Sequence, residues 1–462
     1  MRGLRDWRLQ TAAGLLGGVL AVGSPVASVA SVAQTQTAAG AHLLQAGPVS
    51  PTPAKGTPAL ASTGTTEQVR QIVQCGSTMY AVGTFTQLSQ QGTPVSRNNI
   101  FSFGATYPYT ITSWNPDVNG TVDSIALSPG CTDAYIGGKF TAVGSTGVRN
   151  IAKIDTATGA VVPGFGHSAN GEVNTLLLVN GHLLTGGAFK TINASSANPY
   201  YASLSPVTGK DDGYLHLNIS GNYVYPGVVP NVTSVYNQQL SPQGDAVLVE
   251  GTFTSVGGLS RQQIFMLGVA SGMVTRWDSP EFHQFCGTAH PFYIKAAAWS
   301  PDESTVYIAT TGKAPFKWNG KFPLTGICDV VAAFPATQAD GQTHDWVNYT
   351  GCDSLFSVAA DTSAVYAGGH ERWADNQNGC NFKGPGGIPA QGMGGFTPGP
   401  SGGSLLPNSA GTAGLYSRAR GNGADDMLLT SAGLWIASDN FGGANTCGGV
   451  AGHAGICFLP YP

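Results

Sequence analysis

Apolar and polar residues alternate in short runs along most of this chain, and turn-forming residues separate the runs. Residues 122–127, VDSIAL, lead into the turn SPGCTD, and the apolar run AYIGG follows directly. Alternation with a period of two, bounded by Gly, Pro, Asp and Ser, predicts β-strands joined by tight turns. No stretch combines a helical period with capping residues, so the sequence predicts an all-β protein.

A short phrase recurs along the chain and divides it into units. The clear copies are YAVGTF from Tyr80, YIGGKF from Tyr135, LTGGAF from Leu184 and LVEGTF from Leu248, and divergent copies begin at Tyr307, Tyr366 and Trp435. Repeats of about this length are typical of propellers and solenoids. Each copy lies between two further apolar strands, and a short strand ending in an aromatic residue follows. The pattern predicts a seven-bladed β-propeller of four-stranded antiparallel blades.

The second unit has the most complete motif, Y-x-G-G-x-F-T-x-V-G followed by R-N-I-A and a T-G turn, from Tyr135 to Phe165. In this motif the chain resembles the secreted bacterial propeller repeats known as delta-60-type repeats. The resemblance covers roughly residues 68 to 459, and it is weakest in the last three units. It implies a propeller fold, but it implies no defined activity and contributes no catalytic residue.

The first residues have the pattern of an export signal. Arg2, Arg5 and Arg8 precede the short apolar run TAAGLLGGVLAVG, and SVASVA then offers small residues for cleavage. This pattern predicts a signal peptide over residues 1–33, with an uncleaved anchor as the alternative. A leader rich in Pro, Thr and Ala follows over residues 34–65, and the propeller occupies residues 66–462. We expect a secreted or cell-surface protein with no membrane span after signal removal.

The seventh unit lacks a fourth strand of its own before the chain reaches Pro462. An open outer edge is an aggregation hazard, so we expect part of the leader, roughly residues 41–62, to pair with GICFLPYP. The prolines at 48, 51, 53 and 58 suit an edge strand, where a missing N–H is tolerated. The alternative is a three-stranded last blade with a loose leader.

The eight cysteines form an even set, which favours disulfides in an oxidising compartment. Cys75 and Cys131 lie in equivalent turns of adjacent units, so we expect them to pair. Proximity along the chain predicts the remaining pairs, which are Cys286–Cys328, Cys352–Cys380 and Cys447–Cys457. Sequence alone permits 105 connectivities.

Charge and motifs exclude several function classes. Charged residues make up 10% of the chain, the net charge is −4, and no basic stripe is present, so nucleic acid is not an expected partner. The chain has no H-E-x-x-H, C-x-x-C or Walker motif. We therefore assign no catalytic residue, metal or cofactor, and the spacing of His283, His290 and His344 does not support a metal site.

The long connections all open on one face of the predicted propeller, and loops on a rigid scaffold commonly bind ligands. The connection GGHERWADNQNGC has the densest cluster of polar and aromatic residues. Its candidate ligand-binding residues are His370, Glu371, Arg372, Trp373 and Asp375, with a sugar ring stacked on Trp373. The alternative is a surface loop that Cys380 holds in place.

These observations predict a monomeric, non-enzymatic propeller that binds an extracellular polysaccharide or protein on its long-loop face. Two other functions fit the sequence. One is a glycoside hydrolase or polysaccharide lyase with paired carboxylates at the channel mouth. The other is a purely structural cell-surface module.

Overall fold

The computed structural model describes residues 47–61, 63–65, 67–223, 232–283, 286, 292–312, 323–407, 423–440, 446–447, 450–451 and 453–462. The predicted signal peptide, the first part of the leader and His290 lie outside these residues. Within them the chain is built of strands and turns, and its helical segments are two 3-10 turns, Pro129–Cys131 and Pro280–His283. The prediction of an all-β protein is confirmed. Nothing helical in the described ranges has the length and apolar character of a bilayer-crossing segment.

The strands form consecutive antiparallel sheets, which we number 1 to 7 along the chain. Sheet 1 contains Gln68–Cys75, Thr78–Thr84 and Ile100–Gly104; sheet 2 contains Thr121–Leu127, Asp133–Lys139 and Ile151–Asp155; sheet 3 contains Val173–Val179, His182–Gly187 and Tyr201–Leu204. Sheet 4 contains Val235–Leu240, Ala246–Gly251, Ile264–Gly268 and Met273–Val274; sheet 5 contains Ile294–Trp299, Thr305–Thr310, Val330–Pro335 and Trp346–Tyr349. Sheet 6 contains Leu355–Ala360, Val365–Gly369 and Met393–Phe396; sheet 7 contains Ala424–Thr430, Gly433–Ser438 and Ile456–Pro460.

Shorter strands lie beside these sheets, at the connections between second and third strands and, for Ala59–Leu60, in the leader. They are Ala59–Leu60 with Gln87–Gln90 and Thr93–Ser96, Ala142–Val143 with Thr146–Gly147, Ser255–Val256 with Leu259–Ser260, Trp373–Ala374 with Ile388–Pro389, and Thr446–Cys447 with Val450–Ala451. The sequence pattern did not predict these small hairpins, because each strand is too short to show a period.

The outer strand is shorter than the repeat predicts. Sheets 4 and 5 have four strands. In sheets 1, 2, 3 and 6 the fourth position is reduced to one bridge each, Phe103–Ile111, Ile154–Val161, Leu204–Asp211 and Phe396–Leu405. Short outer strands limit the exposed hydrogen-bonding edge of a sheet.

The hydrophobic core is divided into clusters that lie between successive sheets. The first strand of every sheet contacts the first strand of the next, and the first strand of sheet 7 contacts that of sheet 1. The closing contact buries aromatic rings from both sheets: the centroid of Trp435 lies 5.6 Å from Phe103 and 4.3 Å from Phe458. The sheets therefore form a closed cycle, with apolar contacts on both sides of each sheet.

The second glycine of the recurring phrase allows close approach of two backbones. At Gly83, Gly138, Gly187, Gly251 and Gly369, an added Cβ would lie 1.9 to 2.3 Å from a carbonyl oxygen at the start of the first strand. The first strand has a β-bulge directly opposite each of these glycines. The phrase thus recurs because each sheet repeats one bulged strand pair.

The leader segment 47–61 runs along the outer side of sheet 7. Ser50 N donates to Pro460 O, Ala54 N to Phe458 O and Leu60 N to Ala454 O, each at 2.8 Å. Val49 and Leu60 are buried, Val49 in the cluster between sheets 6 and 7 and Leu60 in the cluster between sheets 7 and 1. Through Ala59–Leu60, the same segment also pairs with Gln87–Gln90 beside sheet 1.

All eight cysteines are paired. The bridges are Cys75–Cys131, Cys286–Cys328, Cys352–Cys380 and Cys447–Cys457, with Cα separations of 6.4, 5.9, 4.9 and 5.4 Å. These are the four pairs that the turn positions and chain proximity predict. Cys75–Cys131 joins sheets 1 and 2, whereas the other three bridges fix connections.

Candidate functional site

The two ends of the sheets differ in their connections. The turn between first and second strands is short in every sheet, whereas the segment between second and third strands reaches residues 311–329 in sheet 5 and 370–392 in sheet 6. In an antiparallel meander these two kinds of connection leave opposite ends of the strands. We call the end with the longer connections the long-loop face.

The long connections of sheets 5 and 6 are fastened to each other. Leu324 N donates to Gln377 O at 2.8 Å, and Gln377 Nε2 donates to Leu324 O at 2.9 Å. Disulfides Cys286–Cys328 and Cys352–Cys380 fix the two connections to the neighbouring chain. Residues 323–329 and 370–392, which we call the loop platform, are therefore held rigidly on the long-loop face.

A charged and stacked pair lies at the centre of the loop platform. The Arg372 guanidinium donates from Nε and Nη2 to the Asp353 carboxylate, at 2.7 and 2.6 Å. Its central carbon lies 4.2 Å from the centroid of the Trp373 ring. Two charge-assisted bonds fix the guanidinium, and its plane supports the half-buried indole. Arg372 and Trp373 thus form a pre-organised unit.

Glu371 occupies a different environment from its neighbours. It stands at the phrase position where Phe85, Phe140, Phe189 and Phe253 are buried in other sheets, and only 4% of it is exposed. Neither of its carboxyl oxygens has a hydrogen-bond partner. Burial, reinforced by the nearby Asp353, raises the pKa of Glu371 well above its usual range. This side chain is part of the interior.

The remaining predicted residues lie at the edges of the loop platform. The ring of His370 meets the Phe356 ring edge-on, with centroids 5.1 Å apart, and is half-buried. Asp375 exchanges hydrogen bonds with Asn348, whose Oδ1 accepts from Asp375 N at 2.9 Å. The structure thus brings Arg372 and Trp373 into direct contact and places the other three residues around them.

Sequence reasoning missed three residues of this region. Asp353, 2% exposed, fixes Arg372 but follows Cys352 without any motif. Phe382 and Ile388 are 42% and 41% exposed on the loop platform. Large exposed apolar side chains are an informative surface feature, but a sequence does not show exposure within a long loop.

The histidines considered for a metal site have separate carboxylate partners. His344 Nδ1 lies 2.6 Å from Glu281 Oε2, and His283 Nε2 lies 3.8 Å from Asp278 Oδ2. Within the described part of the chain, no three His, Cys, Asp or Glu side chains are placed to hold a metal ion.

No protein-family model matches the chain, and no curated protein matches it. Among solved structures, it is similar to U3-55K, with a TM-score of 0.45 and 10% identity over 87% of this chain and 99% of that one. It is also similar to the WD40 repeats of RRP9, with a TM-score of 0.46 and 9% identity over 89% and 99% of the two chains. Similarity at this level says nothing about what this chain binds.

Proposed function

We propose that this protein is a secreted, monomeric, seven-bladed β-propeller that binds an extracellular ligand through its loop platform. The cycle of contacting first strands and the apolar clusters between sheets support the propeller with one blade per sheet. The resemblance to delta-60-type repeats stays a prediction. Four disulfides support an oxidising, extracellular location.

The observation that carries the binding role is the Arg372–Trp373 pair on a disulfide-braced platform. Binding costs less when the contacting side chains are already ordered, and here two disulfides and the Asp353 carboxylate impose that order. Asp353 also neutralises the Arg372 charge, so the pair offers an aromatic surface with little net charge. Such a surface suits a polysaccharide or an uncharged protein segment.

The hydrolase alternative requires two carboxyl groups that reach a substrate. Three carboxyl groups lie near Trp373 in sequence or bonding, those of Asp353, Glu371 and Asp375. Asp353 is buried and bonded to Arg372, and Glu371 is buried in the place of a core phenylalanine. Asp375 is half-buried and accepts a hydrogen bond from Asn348. All three groups therefore have structural environments, which favours binding over hydrolysis.

Replacing Trp373 with Ala tests the proposed function. We expect W373A to bind at least about tenfold more weakly to the glycans, or to the extracellular proteins, that wild type retains on an array. The melting temperature should stay within about 2 °C, because the indole is only half-buried. Tyr107→Ala is the matched control, since Tyr107 is 73% exposed in a turn on the opposite face. Unchanged binding by W373A, or equal loss in both variants, would contradict the proposal.

A further inference from the structure

The first strands of the seven sheets share a bulge at the same repeat position. The register slips by one residue in each, and the skipped residues are Arg70, Asp123, Asn174, Tyr236, Lys295, Phe356 and Asp425. Because the first strands contact one another in a closed cycle, these residues recur once per sheet around its centre. We call them the axial ring.

Four members of the axial ring are charged, and all four are buried. They are Arg70, Asp123, Lys295 and Asp425. A buried charge without compensation is strongly destabilising, so the position of each charge relative to its neighbours affects whether the ring can form. Neutral members use backbone partners instead: Asn174 Nδ2 donates to Val235 O, and the Tyr236 hydroxyl donates to Ile294 O, in each case on the next sheet.

The charges alternate in sign where the chain closes on itself. Sheets 7, 1 and 2 contribute Asp425, Arg70 and Asp123 in that order. Arg70 forms an ion pair with Asp123, and its Nε donates to Gln68 Oε1 at 2.9 Å. Gln68 Nε2 in turn donates to Asp425 Oδ2 at 2.5 Å. One hydrogen-bonded network therefore crosses the contact between sheets 7 and 1, which we call the seam.

The fourth charged residue, Lys295, belongs to sheet 5, which does not adjoin sheets 7, 1 or 2 in the cycle. Lys295 of sheet 5 lies over the rings of Tyr236 and Phe356, 6.0 and 5.7 Å from their centroids. Burial lowers the pKa of Lys295 to about 8, and Asp425 acts in the opposite direction. The sheets on either side of sheet 5 thus supply neutral aromatic neighbours.

We propose that the axial ring selects the partner of the last sheet when the ring closes. The apolar faces of the sheets are chemically alike, so apolar burial discriminates poorly between them. A ring that omits sheet 1 would bring Asp425 next to Asp123 without the intervening Arg70. Like charges at a desolvated contact are strongly unfavourable. Because of this repulsion, sheet 7 docks on sheet 1 and not on another sheet. The inference concerns assembly of the fold and is independent of the ligand.

A charge exchange within the axial ring tests this proposal. R70D/D123R keeps the composition and the ion pair between sheets 1 and 2, but it places two carboxylates at the seam. R70D/D123R/D425N removes that repulsion. After refolding from denaturant under a thiol–disulfide couple, we expect the closed monomer of the first variant to fall at least tenfold below wild type. The second variant should recover to at least half of the wild-type amount.

The closed monomer is measured by size-exclusion chromatography with light scattering, and mapping of the Cys75–Cys131 bridge verifies its native pairing. Asn174→Ala is the control, because it changes an axial residue away from the seam and should refold as wild type does. Wild-type closure by R70D/D123R would overturn the proposal. So would failure of the third substitution to improve closure, or an equal loss in N174A.

Discussion

At the scale of single residues, Glu250 departs most clearly from the repeat. It stands at the third position of the recurring phrase, where the other six copies have Val, Gly or Ala. Its side chain, on the second strand of sheet 4, is fully buried, and neither carboxyl oxygen has a hydrogen-bond partner. Burial raises the pKa of Glu250 from 4.5 to about 8. The group is therefore neutral in the folded protein at pH 7 and ionised in the unfolded chain.

This difference predicts a pH dependence of stability. Below about pH 4.5 the carboxyl is protonated in both the folded and the unfolded state, so it does not change the free energy of unfolding with pH. As the pH rises towards 8, the unfolded chain releases a proton that the folded protein keeps, so the free energy of unfolding falls. Each pKa unit corresponds to about 1.4 kcal/mol, so the total loss is on the order of several kcal/mol.

Glu250→Gln should remove this contribution. Urea unfolding at pH 5 and at pH 8 should show a smaller loss of stability for E250Q than for wild type. Burial also raises the pKa of Asp426 to about 8, so Asp426 contributes to the loss of stability over the same pH range. Part of the pH dependence of the free energy of unfolding should therefore remain in E250Q, and it should diminish further in E250Q/D426N. An identical change in the free energy of unfolding between pH 5 and pH 8 in wild type and E250Q would rule out a neutral buried Glu250.

At the scale of elements, the bulged strand pair explains the most regular part of the sequence. A Cβ at Gly138 would lie 2.2 Å from Thr121 O, and a backbone oxygen cannot move aside as a flexible side chain can. Thr310 and Ser438 occupy the equivalent position in sheets 5 and 7. A bulge alone therefore does not require glycine, and the need for a residue without a Cβ comes from the closer backbone spacing in the other copies.

Gly138→Ala should therefore destabilise the protein by about 1–3 kcal/mol, the usual cost of overpacking. The control is Gly147→Ala, because a Cβ at Gly147 has no atom within 4 Å. That variant should stay within about 0.5 kcal/mol of wild type in chemical denaturation. Equal stability of the two variants would show that the backbones at the bulge can separate without cost.

At the scale of the whole molecule, the leader lies where sheet 7 meets sheet 1. We propose that segment 47–61 serves as the missing outer strand of sheet 7, since it donates backbone hydrogen bonds to that sheet and also pairs beside sheet 1. Leu60 anchors it in the cluster between these two sheets.

Leu60→Ala should lower the free energy of unfolding by about 2 kcal/mol or more, because it leaves a cavity at the closing seam. Limited proteolysis should also cut the leader faster. Lys55→Ala is the control, since Lys55 is an exposed residue of the same segment and should leave both measurements unchanged. Wild-type stability and proteolysis in L60A would mean that the leader contributes nothing to closure.

The sequence by itself determined the all-β class and the repeat, and it predicted the local cysteine pairs. These features depend on period-two patterns, on turn residues and on residues near one another along the chain, such as Cys352 and Cys380. Short stretches of the sequence are therefore enough to predict them. The recurring glycines were also visible, although their reason, the close approach of two backbones in those copies, was not.

Tertiary structure alone decided which side chains meet across distant parts of the chain. Arg70 and Asp123, and likewise Arg372 and Asp353, are ordinary residues of a strand or a loop, and nothing in the sequence shows that they meet. Their burial depends on how neighbouring sheets and connections cover them, and no local pattern records that. For the same reason Glu371 reads as part of a polar surface cluster, while in the structure it fills the place of a core phenylalanine.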